Sequence, residues 1–187
     1  MRIISGACRG RKLYSLPGMA TRPTADRVRE SIFNIIASKV PNAKVLDLFA
    51  GTGAMGLEAL SRGAAAAVFV DSSASAVKII EKNILACRME NRSRLLRWNI
   101  AKNLHCLKPS DPAFDLVFMD PPYAKGCIQP ALDHLIRQQV LKNSATIVIE
   151  HDATEPVPEN FSGLNRIDQR VYGKTLVSFL AVVLENT

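Results

Sequence analysis

Val45-Leu46-Asp47-Leu48-Phe49-Ala50-Gly51-Thr52-Gly53-Ala54-Met55-Gly56 joins an apolar run to a glycine-rich turn, and Leu57-Glu58-Ala59-Leu60 continues it in helix-forming residues. A GxGxxG spacing at 51–56, after a strand and before a helix, lets backbone N–H groups and a helix N-terminus approach a ligand closely. Asp71 follows Gly51 by twenty residues, at the end of the next apolar run. A carboxylate there is placed to accept from ribose hydroxyls.

Working outward, further apolar runs lie at Ala66–Val70, Leu95–Trp98, Asp115–Met119 and Thr146–Ile149. They are continuous rather than alternating, which suits strands buried on both faces of a parallel sheet. Segments long enough for helices separate them, including Ala74–Ala86 and Ile128–Gln139. The alternation predicts a doubly wound α/β sheet. Near the end of the chain the rhythm breaks. Arg166–Tyr172 and Thr175–Leu184 are extended runs joined at Gly173-Lys174, so the sheet is expected to finish in an antiparallel hairpin.

Ahead of the glycine turn, Arg2–Ser5 and Arg11–Tyr14 read as a small hairpin around Gly6–Gly10. A loop carrying Pro17, Gly18 and Pro23 follows. Thr24 is a good N-cap, and Val28, Ile32, Ile35 and Ile36 recur at helical spacing, predicting a helix over 25–39. The expected division is a basic arm with its loop at 1–23 and a catalytic unit at 24–187.

Charge supports that division. Of the net +7, all lies in residues 1–44, with nine Lys and Arg against two Asp and Glu; the remainder holds fifteen of each. A basic block beside a neutral body suggests a polyanion partner, although a solvated basic surface would give the same composition. With 48% hydrophobic and 22% charged residues across 187, the chain reads as globular. No apolar stretch is long enough to cross a membrane, and no signal core follows the first Arg. Four scattered cysteines without a CxxC pair argue for reduced thiols in a cytoplasmic setting and against structural zinc.

Two features bear on the ligand. A pyrophosphate at the glycine turn would meet a like charge in Asp47, whereas an ammonium group would welcome it. S-adenosylmethionine, with an ammonium, a sulfonium and a ribose diol, therefore suits Asp47 plus Asp71 better than NAD does. The second feature is the run Phe114-Asp115-Leu116-Val117-Phe118-Met119 leading into Asp120-Pro121-Pro122-Tyr123. Two prolines stiffen the backbone and remove N–H donors, leaving carbonyls to accept. Such a segment suits the exocyclic amine of a nucleobase, with Asp120 as a further acceptor and Tyr123 as a stacking face.

With these motifs the chain resembles the class I S-adenosylmethionine-dependent methyltransferases acting on nucleobase amines. Gly6-Ala7-Cys8-Arg9-Gly10-Arg11-Lys12-Leu13, the segment Arg22-Pro23-Thr24-Ala25-Asp26-Arg27-Val28-Arg29-Glu30 and Tyr172-Gly173-Lys174-Thr175 narrow the likeness. They are similar to the bacterial 16S rRNA guanine-N2 methyltransferases, over nearly the whole chain. The resemblance implies a Rossmann-like, mostly parallel seven-stranded sheet with the antiparallel hairpin, plus the N-terminal extension. It implies that Asp47, Gly51 and Gly53 surround the cofactor's methionine end, with Asp71 at the ribose, Asn99 with Ile100 near the adenine, and Phe49 and Ser72 also among the cofactor-binding residues. Asp120, Pro121, Pro122 and Tyr123 would hold the guanine. The partner would be 16S rRNA or an assembling small subunit, bound by a monomer without metal.

Some roles stay open. Asn99 could equally cap a helix at Ile100–Leu107. Arg9, Arg11, Lys12, Arg22 and Arg29 are candidate RNA contacts, but Arg22, Arg27 and Arg29 could instead reach the cofactor, pair with Asp26 or Glu30, or stay solvated. Arg27 and Arg29 point to well-separated sides of their helix. His105, His134 and His151 are isolated from one another, so no triad is visible. Rival readings are a DNA adenine-N6 methyltransferase, an NAD-dependent oxidoreductase on the same glycine turn, and a non-catalytic RNA-binding module. The first would need room for a DNA-reading domain, and the second leaves Asp120–Tyr123 and the arm unexplained. The third has no use for acids at three strand ends.

Overall fold

A computed structural model describes residues 1–15, 23–108, 113–122 and 125–183. In chain order the elements are α1 (Pro23–Ile35), β1 (Lys44–Leu48), α2 (Ala54–Ser61), β2 (Ala66–Asp71), α3 (Ala74–Cys87), β3 (Ser93–Arg97) and β4 (Phe114–Met119). They continue with α4 (Ile128–Arg137), β5 (Leu141–Asp152), β6 (Asn160–Phe161), β7 (Leu164–Tyr172) and β8 (Thr175–Val182). All strands join one sheet in the order β3-β2-β1-β4-β5-β8-β7-β6. The pairs from β3 to β5 are parallel; β5–β8, β8–β7 and β7–β6 are antiparallel.

The continuous apolar runs are explained by two cores, one on each face. In β1, Val45 enters the first and Leu46 and Leu48 the second. In β4, Leu116 and Phe118 face the first while Val117 and Met119 face the other. α1 packs on the first face through Phe33, whose ring lies 5.5 Å from that of Phe118. The third glycine of the turn is needed for close packing of α2 on the sheet: a Cβ on Gly56 would lie 2.4 Å from the Phe69 ring.

Several expectations need adjusting. An eighth strand, the two-residue β6, extends the seven expected. α1 starts at Pro23 and ends at Ile35, with a separate 3-10 turn at Ala37–Lys39. Thr24 therefore falls within the helix and not ahead of it. No helix forms over Ile100–Leu107. The arm's ladder is short: it holds one antiparallel bridge, Arg2 with Lys12, flanked by Ile3 N–H to the Arg11 carbonyl at 2.9 Å and Gly10 N–H to the Ile3 carbonyl at 2.8 Å. The arm also packs into the first core through Ile3 and Leu13.

Candidate active site

Strand order reverses between β1 and β4, because β2 and β3 lie to one side of β1 while β4 and β5 lie to the other. Ligands of open α/β sheets bind at the carboxyl ends of the strands flanking such a switch point. A cavity of about 200 Å³ lies there. It is lined from β1 and its glycine turn by Asp47, Phe49, Ala50, Gly51 and Thr52, and from β4 and β5 by Phe118, Asp120 and Glu150. Met1 and Arg29 close another side.

Asp47 is 3% exposed, and its Oδ2 accepts the Gly56 N–H at 2.9 Å. Burial pushes its carboxyl up to about 8, against that hydrogen bond, with the charges of Asp120 and Asp71 adding to the rise. Asp120 stands at the rim. Desolvation by the surrounding wall, then repulsion from Glu150, raises it to about 7. Phe49 adopts φ of +57°, an unfavourable backbone for an aromatic residue, where the chain turns out of β1.

Arg29 supplies the cationic side of the cavity. It is 4% exposed; its guanidinium donates to the Arg2 carbonyl at 2.5 Å and to Asp26 Oδ1 at 3.1 Å. Its Nε lies 3.7 Å from Glu58 Oε2 and makes no hydrogen bond. Burial lowers the guanidinium's pKa, with Glu58 and Asp26 opposing the shift. The assignment of Arg29 to RNA is therefore corrected: a buried fork spent on internal partners cannot reach a phosphate on the surface.

The remaining candidates fall into groups. Asp71 does not line the cavity but is tied to its wall, since Oδ2 accepts the Gly51 N–H at 2.9 Å. Gly53, with φ of +75°, caps α2. Ser72 is exposed, and its carbonyl accepts from Arg97. Asn99 is exposed and turns the chain through Oδ1, which accepts the Ala101 N–H at 3.1 Å; the Ile100 side chain is buried in the second core. Pro121 is buried and Pro122 exposed, directly after Asp120. Arg9, Arg11 and Lys12 are exposed on the arm. Tyr123 and Arg22 lie outside the described residues.

Sequence reasoning missed Met1, Thr52 and Glu150. Only Glu150 left a signal: it follows the apolar run 146–149, just as Asp71 and Asp120 follow theirs. Among the described residues no group of three or more His, Cys, Asp or Glu could hold a metal ion. No described helix is long and apolar enough to cross a membrane.

This sheet order, with a glycine turn after β1 and acids at the switch point, defines a Rossmann-like methyltransferase fold. The Escherichia coli protein yhhF, assigned as a methyltransferase, matches with a TM-score of 0.86 at 31% identity over 98% of both chains. The chain belongs to the family described as Conserved hypothetical protein 95, whose model matches residues 1–181. Among curated relatives, Ribosomal RNA small subunit methyltransferase D of Haemophilus influenzae is 36% identical, covering 87% of this chain and 85% of its own. YlbH of Bacillus subtilis, assigned as an rRNA methyltransferase, is also 36% identical, covering 95% of this chain and 97% of its own.

Proposed function

We propose that this chain methylates the exocyclic N2 amine of a guanine in 16S rRNA, using S-adenosylmethionine. One observation carries the reading: Asp47 and Asp120 face one cavity at the switch point. The first is a buried carboxyl beneath the glycine turn; the second leads the proline segment suited to a nucleobase amine. The names of the relatives above support rRNA as the substrate class.

The donor set fits S-adenosylmethionine. The rise of Asp47 to about 8 marks a carboxylate that an ammonium group would stabilise. Arg29 lines the same cavity, its guanidinium held by the Arg2 carbonyl and Asp26. Asp71 keeps lone pairs for a ribose diol while it braces Gly51. Asn99 and Ile100, at the turn after β3, are the residues proposed to lie near the adenine. When bound, the cofactor supplies a methyl group made electrophilic by its sulfonium.

The remaining work belongs to this chain's residues. The guanine amine is a weak nucleophile because its lone pair is conjugated with the ring. Asp120 as carboxylate, together with a Pro121 or Pro122 carbonyl, accepts from the amine N–H groups and favours pyramidalisation. Tyr123 stacks on the base and fixes its plane. Rigid positioning supplies the larger share of the advantage. The surplus proton leaves to water. Residues 1–23, with Arg9, Arg11, Lys12 and Arg22, act as the RNA-docking arm of the catalytic unit at 24–187.

A pyrophosphate-bearing cofactor such as NAD would meet Asp47 with like charge. The test is direct. Small subunits, protein-free 16S rRNA and DNA are each incubated with labelled S-adenosylmethionine, and the methylated nucleoside is identified by mass spectrometry. N2-methylguanosine from either RNA sample supports the reading; N6-methyladenine from DNA, or no transfer, overturns it. S-adenosylmethionine should also raise the melting temperature, and NAD should not.

A further inference from the structure

Tyr14, at the end of the arm, is 57% exposed, an unusual position for an aromatic residue whose backbone is so firmly held. Its N–H donates to Asn83 Oδ1 at 2.7 Å, and its carbonyl accepts from Asn83 Nδ2 at 3.0 Å. Asn83 projects from α3 and is 0% exposed. The same Nδ2 also donates to the Thr52 carbonyl in the glycine turn, at 2.8 Å. One buried amide thus locks the backbone beneath an exposed ring and ties it to the wall of the active-site cavity.

The surroundings indicate what the ring meets. Tyr14 borders an open recess with Arg9, Arg11 and Lys12, all exposed. Among the described residues these three cations make no ion pair, and the Tyr14 hydroxyl makes no hydrogen bond. Basic side chains bordering an accessible aromatic face are the pattern by which single-stranded nucleic acid is held, cations on the backbone and a base on the ring. A paired duplex does not offer that face, because its bases are already stacked. Little entropy is lost on stacking, since the backbone is fixed and Tyr has only two side-chain torsions.

We infer that Tyr14 is a stacking platform for an unpaired base of the RNA substrate, with Arg9, Arg11 and Lys12 gripping the adjoining phosphates. This rests on the reading of the chain as an RNA methyltransferase. The base concerned is distinct from the target guanine, which belongs at Asp120. Because Asn83 anchors both Tyr14 and Thr52, the platform holds a flanking nucleotide at a set distance from the methyl-transfer cavity.

The experiment measures retention of protein-free 16S rRNA, a single-stranded poly(A) and a fully paired RNA duplex across a salt series. Tyr14→Ala should weaken binding of both unpaired probes by about 5- to 100-fold and leave the salt slope unchanged, since stacking releases no counterions. Tyr14→Phe should restore binding. Replacing Arg11 and Lys12 by Gln should lower the single-strand slope by about 0.7 for each phosphate no longer neutralised. In a Trp98→Phe background, Tyr14→Trp should show fluorescence quenched by poly(A) and not by duplex, which reports stacking even where the alanine variant is unstable. Wild-type affinity of Tyr14→Ala, equal loss on duplex, or a Tyr14→Trp signal indifferent to poly(A) overturns the platform. If the wild-type protein neither retains nor methylates any RNA, the RNA reading itself fails, and the platform with it.

Discussion

Ile4 donates its backbone N–H to Oε2 of Glu58 at 2.8 Å, and the next N–H, from Ser5, reaches Oε1 of the same carboxylate at 3.0 Å. A helix side chain thereby does what a neighbouring strand would otherwise do for this segment. Glu58 is fully buried, and its charge is met by Arg62 at 2.7 Å and Arg29 at 3.7 Å. α2 therefore carries the glycine turn at one end and holds the arm along its side.

Glu58→Ala would orphan two backbone donors and leave Arg29 buried with only Asp26 for a charge partner. Breaking a buried pair in this way costs about 3–5 kcal/mol. A urea titration should show the loss as a lower midpoint, and limited proteolysis should cut the arm first. Glu58→Gln, which keeps acceptor capacity, should lose clearly less.

Gly6 and Gly10 offer a matched comparison. Their φ angles are +82° and +81°, so both disfavour a side chain equally on backbone grounds. A Cβ at Gly6 would stand 1.9 Å from the Ser61 carbonyl, whereas at Gly10 it meets nothing within 4 Å. Gly10→Ala should cost about 1–2 kcal/mol. Gly6→Ala should cost more, and should also expose the arm to protease because it can no longer close against α2. Urea midpoints and digestion rates of the two variants, measured side by side, check both statements.

Cofactor affinity should depend on pH through Asp47. Its folded-state value is raised from 3.8 to about 8, so the unliganded fold favours the protonated acid. Its contribution to stability is complete below about 4 and is lost as pH rises toward 8. A cationic ligand requires the carboxylate and displaces that proton. S-adenosylmethionine affinity should therefore rise from pH 6 to 8, by at most about tenfold per pH unit, and level off above. Calorimetry in buffers of different ionisation enthalpy should show proton release at pH 7. Asp47→Asn should bind weakly and lose the dependence.

Asp120 gives a separate pH effect on the chemical step. Desolvation and the neighbouring Glu150 raise its value, so the acceptor form gains population as pH rises into the neutral range. Single-turnover methylation at saturating cofactor should climb through pH 7 to a plateau. Asp120→Asn should be slower by about 10²-fold or more and flat with pH, while its cofactor affinity stays within a few fold.

The parallel sheet was legible because the apolar runs load two cores at once, and a strand buried on both faces cannot alternate. β5 begins well before its apolar run, at Leu141, because Lys142, Asn143 and Ser144 are exposed and carry no hydrophobic signature. Asp71 and Asp120 could also be read, each closing an apolar stretch. The burial of Arg29 could not be read, although its pairing with Asp26 was among the open alternatives. Its burial depends on the Arg2 carbonyl and on Glu58, and nothing local distinguishes a helix arginine covered by a distant segment from one left in water. Glu58 and Asn83 were invisible for the same reason: each looks like an ordinary polar helix residue, yet the arm seals both from solvent.

The arm's attachment also sets an order of assembly. Ile4 waits for Glu58, 54 residues further along; Tyr14 waits for Asn83, 69 residues further; and the Cys8 thiol meets the Cys87 carbonyl across 79. Translation runs toward the C-terminus, so this basic segment emerges before α2 and α3 and has no complete dock until α3 has been made and packed. Throughout that interval its cations lack the anchor that α2 and α3 supply. A pulse-labelled nascent chain halted before α3 should keep the arm open to protease, and one halted with α3 clear of the exit tunnel should protect it.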